Sequence, residues 1–361
     1  MSARSRATEA DNASVAFHIA LTSIGVSTIE EALVLWGDVS TSPTKVTATS
    51  SRWLTRAISL VMRNRRMSRD LAVAYYRLVR ALRTGKTIQG PTRAAGTHVT
   101  LGELRREFAS LVDDFAPPPT PARAEPLSPS TERVDASNRK DEAGATPKSG
   151  LDSPDDNDSI LIEELKRLDE EQDRLEALAE EEIRIALEAL GSANLESKLS
   201  VVDDQQLASE ADIARDDIHR QVGFQQAAAV ERVVLDGGRG ELWSLADQDA
   251  RAIGYARISR TGTPCGWCAM LISRGAVYRS KKSATRAIYG DGDMYHDNCH
   301  CYAIPIFSQR QFNESALFEL NRKYAIEWPR VTQGLGGKDA VSAWRKHIRA
   351  SRAAPADLRA A

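Results

Sequence analysis

Residues 116–158 read "APPPTPARAEPLSPSTERVDASNRKDEAGATPKSGLDSPDDND". The stretch is rich in Pro, Ser, Asp and Ala and almost free of large apolar side chains. Such a segment cannot bury enough surface to offset the entropy lost on ordering. It predicts a disordered linker and therefore a domain boundary. A chain of 361 residues is long for one domain, so a division into folded parts is expected.

Before the linker, residues 1–115 read as a helical N-terminal domain. "VAFHIALTSIGVSTIEEALVLW" carries apolar residues at helical intervals, with a break expected at Gly25 and Val26. A second helix is expected over Ser51 to Thr84, where Leu71, Tyr75, Leu78, Val79 and Leu82 recur every three or four residues. Gly85 is its expected stop. This helix is strongly basic: Arg52, Arg56, Arg63, Arg65, Arg66, Arg69, Arg77, Arg80, Arg83 and Lys86 face one acid, Asp70. Contact with nucleic acid or an acidic partner is one reading. The ordinary reading is a solvated face whose arginine stems cover apolar surface. No DNA-reading motif orders these arginines, which favours the ordinary reading or a protein contact.

After the linker, 159–240 is an amphipathic helical region. Leu161, Leu165, Leu168, Leu175, Ala179, Ile183 and Leu187 form a stripe opposite an acidic face. A second helix is expected to end at "DGGRG", 236–240, and His219 within it reads as a packing or surface histidine. Residues 241–310 form a Cys/His module and 311–361 supply C-terminal helices, divided at Pro329 and at Gly334, Gly336 and Gly337. The fold class expected is mainly α with a small α+β cysteine-rich C-terminal module, in a multi-domain chain with a disordered linker.

Every cysteine lies in the module: Cys265, Cys268, Cys299 and Cys301. "PCGWC" places two thiols three positions apart on a tight turn, a spacing that lets both point at one metal. His296-x-x-Cys299-x-Cys301 offers further ligands. A tetrahedral zinc site with sulfurs at about 2.3 Å is the leading reading. Cys265, Cys268 and Cys299 rank first as ligands, Cys301 and His296 next, and His300 last. On an extended strand Cys299 and Cys301 would share a face and His300 would point the other way. "CYAIPIF" is the expected strand, ending at Pro305.

Competing readings exist. Two disulfides would use four cysteines evenly, but a reducing compartment disfavours them. A thiol hydrolase would use Cys265 or Cys299 with His296 as base. Clustered cysteines fit metal binding better than a lone activated thiol. No run approaches the roughly 20 apolar residues of a membrane helix, and the opening residues lack a secretory-signal pattern. A cytoplasmic setting without membrane contact is expected. The net charge of −2 predicts no global attraction to nucleic acid.

"CGWCAML-x-SRGAVY" followed by "YHDNCHC-x-x-x-P" resembles the phage Mu F-like head-morphogenesis family of minor capsid proteins, in its actinobacteriophage form. The matching positions are Cys265, Cys268, Gly275, Val277, Tyr278, His296, Cys299, Cys301 and Pro305. The usual Arg between the last two cysteines is His300 here, so no obligatory role attaches to that position. "LAVAYYRLVRALRTGKTI" also resembles the opening region of these proteins. The resemblance implies a virion head protein acting near the portal, made in the host cytoplasm. Its implied partners are portal and capsid or scaffold proteins, with packaged DNA a further one through 52–86. Some relatives are labelled capsid maturation proteases. No G-x-S-x-G elbow and no Ser/His/Asp grouping supports that label in this sequence.

Overall fold

The computed structural model describes residues 2–42, 45–90, 98–115, 159–160, 162–163, 169–202, 208–259, 262–276 and 301–353. The expected linker at 116–158 lies outside the described residues, as do His296, Cys299 and His300. The described chain is mainly α.

Helix α1 spans Ala3–Trp36, opened by the Ser2 side chain accepting from the Ser5 amide. It does not break at Gly25. That residue faces Glu231 and Leu235 of a later helix, so its missing side chain serves packing rather than termination. Among the described residues, α1 alone is long and apolar enough to cross a membrane by length and composition. Phe17, Leu21, Ile24 and Trp36 are buried in the protein core, whereas Val15, Ile19, Val26 and Val34 are exposed.

Helix α2, Val46–Thr84, folds back along α1. The pairing is antiparallel: Arg83 meets Asp11, Tyr75 stacks on Phe17 and Trp53 sets its edge against Trp36. Between them, the Asn64 amide donates to Thr28 Oγ1 at 2.9 Å. Gly85 ends α2 as expected, with φ +74° and its amide bonded to the Ala81 carbonyl. Only a residue at ease with positive φ closes a helix this way.

Four two-residue strands follow in pairs. Thr87–Ile88 (β1) lies parallel to Ile162–Glu163 (β4), and Val99–Thr100 (β2) antiparallel to Ser159–Ile160 (β3). The helix expected from 159 therefore begins later. Ile160 and Ile162 are β-branched and lie opposite Val99 and Thr87, which suits short strand pairs. Leu101–Asp113 (α3) starts with a capping box between Thr100 and Glu103. Helix α4, Asp169–Leu187, passes through a π turn at Glu188–Ser192 into α5, Ala193–Leu199. Of its expected stripe, Ala179, Ile183 and Leu187 are buried, whereas Leu175 stays exposed.

Helix α6, Ala208–Gln248, is the central element. It runs antiparallel to α1 and parallel to α2, as the contacts of Trp36 with Gly223 and of Arg80 with Asp249 show. The boundary expected at 240/241 falls inside it, because "DGGRG" does not break the helix. A Cβ on Gly238 would sit 2.5 Å from the Ser68 carbonyl oxygen, so the glycine lets α2 and α6 touch backbone to backbone. Ser68 Oγ fills the gap, accepting from the Gly238 amide and donating to the Val234 carbonyl at 2.7 Å. His219 packs beside the Trp36 ring, and its carbonyl accepts from the Trp36 indole. Burial lowers its pKa, against the hydrogen bonds that favour the charged ring.

The C-terminal part begins with β5, Gly254–Ser259, continues through α7, Gly266–Ser273, and returns as β6, Cys301–Ile306. Pro305 lies inside β6 opposite Tyr255 rather than ending it, and its carbonyl accepts from the Gln311 side-chain Nε2. Helices α8 (Gln309–Glu314), α9 (Glu319–Val331) and α10 (Gly337–Ala353) complete the described fold. Pro329 stands within α9, so the division between the last two helices comes after it. The β5–β6 ribbon is docked on the helical body: Tyr255 and Ala303 join its core, and Tyr302 stacks on His18 of α1 at 4.0 Å.

Candidate cysteine site

In α7 the side chain of Cys265 takes the place that Ser, Thr or Asp usually fills at a helix start. Its Sγ accepts from the Cys268 amide at 3.3 Å. The two thiols of "CGWC" therefore sit at the N-cap and one turn in, at the positive end of a helix. Cys301 enters from the other side as the first residue of β6, opposite Ser259.

Alternation along the ribbon puts Arg257 and Cys301 on one face and Tyr302 on the other. Cys268 and Cys301 are buried in a single apolar cluster with Ala269 to Ile272, Tyr324, Trp344 and Ile348, and Cys265 packs against it. Three of the expected ligands, from two distant parts of the chain, thus belong to one apolar cluster. The other two, His296 and Cys299, lie outside the described residues. Among the described residues, no three or more His, Cys, Asp or Glu side chains are grouped to hold a metal ion.

Sequence reading missed the cluster's supports. Arg257 is 2% exposed, and its Nη2 reaches Cys268 Sγ at 3.7 Å. A guanidinium and a helix N-terminus both attract negative charge, which suits a metal-ligating thiolate. Its signal was available: one charged residue inside the apolar run "GYARIS". Asn321 of α9 donates to the carbonyls of Arg257 at 2.9 Å and Ile272 at 3.1 Å, tying β5, α7 and α9 together. Helix α10 lies across the C-x-x-C turn. A Cβ on Gly266 would come 2.7 Å from Arg345 Cγ, and the Arg352 guanidinium donates to the Thr263 carbonyl. The C-terminal helices, read from sequence as a separate region, are therefore part of the cysteine cluster.

The second candidate region, the basic helix, is α2. Most of its cations are spent inside the fold. Arg65 and Arg69 pair with Glu176, Arg77 with Glu107, Arg80 with Asp249 and Arg83 with Asp11. Arg56 and Arg63 make exposed pairs with Asp38 and Glu31. Arg52 and Arg66 also face solvent.

Residues 198–326 match the family described as VG15 protein, a phage-associated family. The match covers less than half of the chain. It runs from the end of α5 through α6, the ribbon and α7 into α9, and includes all four cysteines. Helices α1, α2 and α10 lie outside it. No curated protein and no solved structure matches the chain.

Proposed function

We propose that this chain is a minor head protein of the Mu F-like type, acting in phage head assembly near the portal. In this reading Cys265, Cys268 and Cys301, with Cys299 or His296, hold a structural zinc ion. One observation carries the proposal: the likeness to a phage-associated family falls on the segment that contains both cysteine pairs. Zinc there would tie the start of α7 to the start of β6. It would stabilise the cluster by cross-linking two distant parts of the chain. The helical body would supply the surface for portal, capsid or scaffold proteins.

Two measurements test this reading. Metal analysis of the full-length protein, purified under reducing conditions, should find stoichiometric zinc, and Cys265→Ser, Cys268→Ser and Cys301→Ser should lose it. Metal-free protein whose melting is unmoved by chelator would remove the zinc from the proposal. A tagged chain should co-purify with portal protein and enter heads, and its absence from assembled heads would end the assembly reading. A Cys265→Ser or Cys299→Ser variant that keeps its fold yet blocks cleavage of capsid protein would instead favour a thiol hydrolase using His296.

A further inference from the structure

The outward face of α1 differs from that of α2. On α2 it carries Arg52, Arg56, Arg63 and Arg66. On α1 it carries Thr8, Asn12, Val15, Ile19, Val26 and Glu30, all exposed. Their spacings of three, four and seven residues place them on one stripe. Thr22 and Ser23, partly buried, fill the interval between Ile19 and Val26. Val15, Ile19 and Val26 are 43%, 39% and 47% exposed. Residues 12–29 contain no Asp, Glu, Lys or Arg.

Single exposed apolar residues are ordinary. A stripe of them without a charge is not, because a helix normally meets water with charged side chains. Charge returns only at the two ends. Arg4 stands one turn before Thr8, and Glu30 one turn after Val26. Both are exposed, and among the described residues neither makes an ion pair. Other charges of α1 are used within the fold: Glu9 pairs with Arg105, Asp11 with Arg83 and Glu31 with Arg63. The helix dipole does not account for Arg4 and Glu30 either. It favours anions near the start of a helix and cations near its end, the reverse of this order.

We propose that the outward face of α1 pairs, antiparallel, with the same face of a second copy of this chain. Charge complementarity selects that occupant and that direction. In an antiparallel pair, Arg4 of one copy lies opposite Glu30 of the other, and two-fold symmetry repeats the pair at the far end. The same register sets Thr8 against Val26 and Val15 against Ile19, so the apolar residues meet in the middle. A parallel pair would instead set Arg4 beside Arg4 and Glu30 beside Glu30. The overlap from residue 4 to residue 30 is about 39 Å long at 1.5 Å per residue. A shallow crossing of about 20° keeps the centres in contact, and the long Arg and Glu side chains bridge the wider ends. Val34 lies beyond the overlap. The inference needs neither zinc nor a role in heads.

The test is sedimentation equilibrium of the full-length protein, kept reduced, from low to high micromolar concentration. The wild type should pass from the mass of one chain to that of two. Ile19→Glu places a charge in the apolar centre and should hold the protein monomeric throughout. Arg4→Glu and Glu30→Arg should each raise the dissociation constant about three- to tenfold, because two exposed ion pairs are lost per dimer. The double variant restores both pairs in reversed order and should return to within about twofold of the wild type. Val34→Ser should leave association unchanged. Each variant should melt like the wild type. If Ile19→Glu does not, the charge reversals, made on exposed side chains, decide alone. Wild-type protein that stays monomeric would overturn the proposal, as would a dimer that Ile19→Glu leaves intact or a double variant that fails to recover. A monomer that floats with phosphatidylcholine vesicles would also overturn it, assigning the face to a membrane surface.

Discussion

Arg80 on α2 and Arg349 on α10 carry the same guanidinium, yet one is fully buried and the other stands in solvent. The difference lies in what the rest of the chain brings to each helix. Partners for α2 arrive from α1 (Asp11), α3 (Glu107), α4 (Glu176) and the end of α6 (Asp249). Nothing acidic among the described residues arrives for Arg345, Lys346 or Arg349. A basic segment is therefore not yet a basic surface. On α2 the charge is used to position neighbouring elements, and on α10 the charges of Arg345, Lys346 and Arg349 face solvent.

The sharpest way to break this contrast is to remove Asp249. Its two oxygens accept two bonds from Arg80 and one from the Tyr76 hydroxyl, and the Arg251 backbone amide adds a fourth at 2.9 Å. Asp249→Ala leaves a buried guanidinium without its counter-charge. It should cost about 3–5 kcal/mol, read as a fall in the urea midpoint. Burial would raise the pKa of this carboxyl, but Arg80, the Arg251 amide and Tyr76 outweigh it and hold the pKa below its ordinary 3.8. A depressed folded pKa stabilises above the unfolded value, and that stability is lost as pH falls through the folded one. The gap between wild type and Asp249→Asn should therefore narrow on acidification below the ordinary carboxylate range. A gap independent of pH would show that the carboxylate's charge is not what holds Arg80.

On the other side of the contrast, α10 depends on apolar packing. Trp344 is fully buried, edge-on to both Tyr324 and Trp328. Trp344→Ala should cost about 3–5 kcal/mol. Hydrogen exchange should show faster opening of α7 and α10 than of α2. Uniform loss of protection would mean that the cysteine cluster and the helical body unfold as one.

A smaller effect is expected where α2 meets α6. Gly238→Ala would gain helix propensity but press a methyl onto the Ser68 carbonyl, which lies 2.5 Å from the new carbon. Overpacking of this kind costs about 1–3 kcal/mol. A stabilised variant would mean that the helices can separate without penalty.

These same positions explain what the sequence could and could not tell. The 3.6-residue stripe of α2, the Gly85 stop and the pairing of cysteine motifs are local patterns, so they were legible. Gly25, Gly237 and Gly238 were read as helix breakers because glycine disfavours helices in isolation. Only the approach of a second helix shows why they sit inside one. The run from Ser159 resembled a continuous helix, but its first residues pair with strands far earlier in the chain, at Val99–Thr100 and Thr87–Ile88. Likewise, Arg80 and Arg349 are indistinguishable as letters. Their counter-charges, or lack of them, are long-range facts. At the cysteine site, the two cysteine motifs were legible, while Arg257, Asn321 and the cover provided by α10 were not.

The smallest predicted effect tests whether burial, rather than membership of α2, makes an arginine structural. Arg63 pairs with Glu31 at 2.6 Å, but both side chains are about half exposed. Water and salt screen such a pair, so Arg63→Ala should cost under about 1 kcal/mol, and less still in high salt. Arg349→Ala, with no ion pair to lose, should change stability by no more than about 0.5 kcal/mol. Paired urea melts at low and high salt separate the cases. The Arg63 effect should shrink with salt, the Arg349 effect should stay near zero, and the Asp249 effect should persist. If Arg63→Ala costs as much as Asp249→Ala, then the exposed face of α2 is also part of the scaffold, and burial is not what divides the two kinds of arginine.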